Sequence, residues 1–100
     1  MATVTFTSSG QALYAFLSGE IDHDSAQHLR LGIDAEVSQR LPRQLVLDFS
    51  GVGFMDSSGV GLILGRQRRM QALGGSLSIR YPPAQIQKIL QLAKIQTMEV

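Results

Sequence analysis

The chain has 100 residues, no cysteine, and 9 basic against 8 acidic side chains, for a net charge of +1. That length holds one domain with one modest core. The missing cysteines exclude disulfides and thiolate metal sites, and the charge balance argues against nucleic acid as the main partner, because phosphate backbones reward clustered positive charge.

In chain order, Val4-Thr5-Phe6-Thr7 alternates apolar and polar residues as a half-buried strand does. Ser8-Ser9-Gly10-Gln11 reads as a turn, and Ala12 to Leu17 as a second strand, so the chain opens with a hairpin. Gly19 to Ser25 reads as a loop in which Asp24 or Ser25 caps the helix that follows. Ala26, Leu29, Ile33, Val37 and Leu41 step by three or four and form one apolar stripe, which Pro42 ends.

Leu45-Val46-Leu47-Asp48-Phe49 is almost wholly apolar and reads as a central strand covered on both faces. Ser50 to Gly53 reads as a turn, and Phe54-Met55 leads to Asp56-Ser57-Ser58-Gly59. Val60 to Leu73 reads as a helix, ended by Gly74-Gly75. Leu77, Ile79 and Tyr81 alternate with polar residues as a strand, and Pro82-Pro83 opens a third helix with Ile86, Ile89, Leu90 and Ala93 on one face. Thr97 to Val100 reads as a last short strand. The order β-β-α-β-α-β-α-β predicts an α/β fold with a mixed, mostly parallel sheet and right-handed crossovers, in a single domain over residues 1–100.

The segment Phe54 to Leu62 sets two hydroxyls between a buried strand and a helix, where free N–H groups and the positive end of the dipole lie. A serine there is a helix cap or a phosphoacceptor, and both readings stay open on the residues alone. Two serines stand where one suffices for a cap. Gly59 and Gly61 leave little bulk over them, so a partner could approach closely.

Other constellations are weaker. His23 and His28, beside Asp22 and Asp24, are five apart and do not share a helix face, so no metal site is expected. Gly59-Val60-Gly61 begins like a dinucleotide fingerprint, but Gly65 comes one residue late. No Gly-x-Ser-x-Gly elbow, Walker lysine or kinase residue set is present, so no enzyme is expected. Met1 to Phe6 lacks the basic start and apolar run of a signal peptide, and no apolar stretch approaches the roughly 20 residues of a membrane span. A cytoplasmic chain with no membrane partner is the expectation.

Three stretches resemble a known family. Gly19-Glu20-Ile21-Asp22-His23, Leu45-Val46-Leu47-Asp48-Phe49, and Phe54-Met55-Asp56-Ser57-Ser58-Gly59-Val60-Gly61 running into Leu64-Gly65-Arg66 are similar to the STAS-domain anti-sigma factor antagonists, nearest to the sporulation sigma-F antagonists. The resemblance implies a bacterial regulator whose unphosphorylated form binds an anti-sigma factor serine kinase and releases the sigma factor. It implies that Ser57 is the phosphorylated residue, with Ser58 as a cap or minor acceptor. Mg-ATP would belong to the kinase, the chain would hold no cofactor of its own, and a serine phosphatase would reset the switch. STAS domains also act by contact alone, as scaffolds or accessory subunits of stress-signalling or transporter assemblies, where the serine is silent. Lys94 departs from the family, standing where close relatives often have a glycine. The expected partner surface comprises Glu20, Asp22, His23, Asp24, Asp56, Ser58, Gly59 and Gly61, together with an exposed helix face carrying Arg66 and Arg69.

Overall fold

The computed structural model describes residues 1–95. The segment read as a final strand, Thr97 to Val100, lies outside the described residues. The elements in order are β1 (Ala2–Ser9), β2 (Ala12–Ile21), α1 (His23–Arg40), β3 (Gln44–Met55), α2 (Ser57–Ala72), β4 (Ser76–Arg80) and α3 (Ala84–Leu92). The sheet runs β1-β2-β3-β4, with β1 antiparallel to β2 and the other pairs parallel. This is the expected mixed α/β sheet.

Alternation sorts the side chains between two faces. Leu13, Ala15 and Leu17 of β2, Leu45, Leu47 and Phe49 of β3, and Ile79 of β4 meet Leu29, Ile33 and Val37 of α1 and Leu62, Ile63 and Met70 of α2 in one core. Ile86 and Leu90 of α3 join the same core. Helices α1 and α2 pack against each other as well as against the sheet, so both lie on one side of it.

The five residues from Leu45 to Phe49 are all buried, as a doubly covered strand requires, but among the described residues no helix supplies the second cover. Tyr14 and Phe16 pair with Val46 and Asp48, and Asp48 pairs with Arg80. Arg80 Nε donates to Asp48 Oδ2 at 2.8 Å, and its guanidinium lies 4.7 Å from the Tyr14 ring centre and 5.6 Å from that of Phe16. These long side chains roof the strand themselves.

Several boundaries differ from expectation. Residues 19–21 are not loop but the end of β2, and Ser50 to Gly53 is not a turn. Both stretches stay in strand because they pair with each other, Ser18 with Gly51 and Gly19 with Val52, through irregular register. The apolar stripe of α1 stops at Val37. Leu41 is the helix C-cap, with φ 47° and 65% exposure. It turns away because Pro42 bars another helical turn. Tyr81 likewise leaves the line of β4 at φ 55°.

A left-handed, exposed leucine gives up backbone energy for little burial. Leu41→Gly is expected to stabilise the domain by about 1 kcal/mol, read as a Tm rise of about 4–8 °C in a thermal melt. A second prediction concerns Asp48. Burial alone would raise its pKa, but the Ser50 hydroxyl and N–H and then Arg80 outweigh that, and the carboxyl titrates below its ordinary 3.8. A depressed folded-state pKa means a stabilisation present above the unfolded value and lost as pH falls through the folded one. Asp48→Asn is expected to cost about 1–3 kcal/mol at neutral pH and to flatten the acid limb of a stability profile below about pH 4.

Candidate functional site

Parallel pairing of β2 with β3 sets Ile21 against Met55, and the next residue on each strand is an aspartate. Asp56 N donates to Ile21 O at 3.2 Å, which ties the two strand ends together. Each aspartate then caps a helix. Asp22 Oδ1 accepts from Ser25 N at 2.9 Å, and Asp56 Oδ1 accepts from Ser58 N at 2.8 Å. Both caps have the extended backbone expected there, with φ −112° at Asp22 and −98° at Asp56. Two positive helix ends therefore sit side by side at one edge of the sheet. The N–H of Ser25, followed by its hydroxyl, holds the Asp22 carboxyl below its ordinary range.

These caps correct the sequence reading. Neither Asp24 nor Ser25 caps α1. Ser25 is buried, and its Oγ accepts from Ala2 N at 3.2 Å, pinning β1 to the helix. Ser57 does not precede its helix, as the expected start at Val60 required. It is the first helical residue, exposed, and relieved of the capping role by Asp56. Ser58 is half-buried and gives its N–H to that cap.

The two glycines also part company. Gly59 is buried, and a Cβ there would come within 2.2 Å of Met55 Cγ, so packing explains it. Gly61 is exposed, with nothing within 4 Å of its Cβ position.

Of the expected partner surface, Glu20, Asp22, His23, Asp24, Asp56, Ser58 and Gly61 come to this edge. Gly59 is beneath it. Arg66 is not on an exposed face. It is 8% exposed and lies between α2 and α1, with Nε 2.8 Å from Asp34 Oδ1. That N–H is not aligned for a hydrogen bond, so the contact is ionic. Arg69 is half-exposed, 3.8 Å from the same oxygen, and its Nη2 donates to Ser38 Oγ on α1. Burial lowers the Arg66 pKa from its ordinary value, Asp34 opposes that shift, and the like charges of Arg30 and Arg69 add to it.

Beside the serines, the helices leave a shallow groove of about 350 Å³, with His23, Ala26 and Arg30 on the α1 wall and Ser58, Gly61 and Arg66 on the α2 wall. Sequence reasoning missed two neighbours. Phe54, 47% exposed, pairs with Glu20 beside the serines, and Arg30 rims the groove. Phe54 was legible as an odd aromatic in the motif; Arg30 gave no sign before α1 and α2 were placed together. Among the described residues no three His, Cys, Asp or Glu side chains converge as a metal site would need, and no helix is long and apolar enough to cross a membrane.

A family model described as Mlab, STAS domain, matches residues 4–100. An anti-sigma F factor antagonist from Lysinibacillus sphaericus is 36% identical over 77% of this chain and 66% of its own length. One from Paenibacillus polymyxa is 38% identical over 63% of this chain and 54% of its own length. The chain thus spans less than two thirds of either curated relative. The solved structure of the anti-sigma factor antagonist SpoIIAA in its unphosphorylated form superposes with a TM-score of 0.83 at 26% identity, covering 97% of this chain and 89% of that one. SpoIIAA of Bacillus in its phosphorylated form superposes at 0.76, also at 26% identity, covering 97% and 92%.

The division of labour between the two residues can be measured. Asp56→Ala removes a cap and is expected to cost about 1 kcal/mol, whereas Ser57→Ala, at an exposed first-turn position, should stay within about 0.5 kcal/mol of the parent in urea denaturation.

Proposed function

The chain belongs to the STAS-domain family, and from that membership we propose that it is an anti-sigma factor antagonist switched by phosphorylation of Ser57. In this reading the unmodified chain binds an anti-sigma factor serine kinase, which then lets go of its sigma factor. The kinase, using its own Mg-ATP, moves the terminal phosphoryl of ATP onto Ser57 Oγ; ADP leaves, and the hydroxyl proton passes to a base of the kinase. A serine phosphatase restores the hydroxyl. The chain is substrate and ligand, a cytoplasmic regulator with no catalysis of its own.

One observation carries the proposal. Ser57 is an exposed hydroxyl at the head of a helix whose cap is supplied by its neighbour, so it is free to react without unpicking the fold. The names of the relatives and the two SpoIIAA forms support the same reading. The switch itself is charge. A phosphoryl adds about −1.5 to −2 units beside Asp56 and the Asp22 edge, and docking would have to strip its water. A loss of about 3 kcal/mol is over a hundredfold in affinity.

The test is incubation with the cognate anti-sigma kinase and Mg-ATP, followed by intact-mass and phosphopeptide analysis. One added phosphoryl on Ser57 is expected, and phosphate mainly on Ser58 would overturn the residue assignment. Ser57→Ala should bind the kinase and stay bound, while Ser57→Asp should bind about a hundredfold more weakly. Equal affinities would rule out a charge switch, and no phosphorylation at all would favour the contact-only scaffold.

A further inference from the structure

The groove between α1 and α2 has two features that the phosphorylation site does not explain. The first is Gly61 and Gly65, one helical turn apart on the groove wall. Glycine inside a helix costs about 0.5–1 kcal/mol relative to alanine. At both positions a Cβ would meet nothing within 4 Å, so packing does not demand the loss. Their effect is to keep the groove clear down to the α2 backbone.

The second feature is charge. The Arg66 side chain is 10% exposed and lines the groove, with its Nε buried against Asp34 Oδ1 at 2.8 Å. Arg66 and Arg69 share one carboxylate, that of Asp34. Arg30 on the opposite wall is exposed and stands outside the ion pairs of the described residues. Two arginines, Arg30 and Arg66, and no acidic side chain line the groove, so it carries positive charge in a chain whose net charge is only +1. The Ser58 side of the groove adjoins the positive end of α2.

We infer that this groove is a docking slot for a carboxylate side chain of the anti-sigma factor, held by Arg30 and Arg66 and admitted by Gly61 and Gly65. The inference rests on the antagonist reading above. A guanidinium outside the ion pairs of the described residues, as at Arg30, is matched by a carboxylate, which can accept from two of its donors at once. The acid would seat beside Ser57 and fix how the partner presents its nucleotide to that hydroxyl. The two charge zones of this edge would then differ. The Asp22–Asp56 zone meets basic groups of the partner and the groove meets acidic ones, a pattern that sets orientation as well as attraction.

The test has two arms. In the first, the full-length isotope-labelled chain is titrated with hexaglutamate and followed by NMR. The Gly61 and Gly65 amides and the Arg66 Nε–H should move, and Arg30→Glu should abolish the response. No movement, an undiminished response in Arg30→Glu, or an equal response to inorganic phosphate overturns the inference. In the second arm, affinity for the anti-sigma factor is measured for Arg30→Glu, Gly65→Glu and, as a control on the same helix outside the groove, Arg68→Glu. The first two should bind about tenfold or more weakly, and the control should match the parent. If the parent binds and the groove variants bind equally well, the slot is wrong while the antagonist reading stands. If the parent does not bind any anti-sigma factor, the antagonist reading itself fails.

Discussion

The parallel register that sets Ile21 beside Met55 is the constraint on which the rest of the site depends. It brings two strand ends level at one edge of the sheet, and each strand hands over to an aspartate that caps a helix. Because both helices start there, their free N–H groups and dipole ends reinforce one another. The same two aspartates supply the compensating negative charge. A shift of this register by one residue would send Ile21 to the wrong face of the sheet and would separate the caps.

That arrangement explains how a phosphoryl could alter binding without altering the fold. Ser57 occupies the first helical position, where added negative charge is favourable to the helix itself. Its hydroxyl is outside the core and its neighbour supplies the cap. The energetic cost of modification would therefore fall on a docked surface rather than on the domain. Gly59 belongs to the fold side of this division, since its missing side chain makes room for Met55.

The contact between α1 and α2 divides in a similar way. Leu29, Ile33 and Ile63 close its inner part against the sheet. Further out, Asp34 draws in Arg66 and Arg69, and the glycines of α2 leave the groove unfilled. Burying Arg66 there costs solvation, which Asp34 opposes and the like charges of Arg30 and Arg69 aggravate. Together with the helix propensity forgone at Gly61 and Gly65, local stability is lower than this backbone would allow, which is the usual mark of a surface shaped for a partner.

Much of this was legible in the sequence. Alternation in Val4–Thr7, the run Leu45–Phe49, the stripe Leu29–Ile33–Val37 and the Gly74-Gly75 stop follow from periodicity and turn chemistry, which act over a few residues. The strand-to-helix setting of Asp56-Ser57-Ser58 was legible for the same reason. That Asp22, rather than Asp24 or Ser25, caps α1 was not, because it depends on where β2 ends, and β2 reaches Ile21 only by pairing with β3. Ser50 to Gly53 carries turn residues yet stays extended, since its partner strand satisfies its backbone. Arg66 and Arg69 read from sequence as an exposed, partner-facing helix face; only the approach of α1 revealed Asp34 beside them. The sequence by itself determined the elements and the core faces, because these rest on local spacing. Tertiary structure alone decided which aspartate caps, which arginine is buried and where the groove lies, because those rest on contacts between residues distant along the chain.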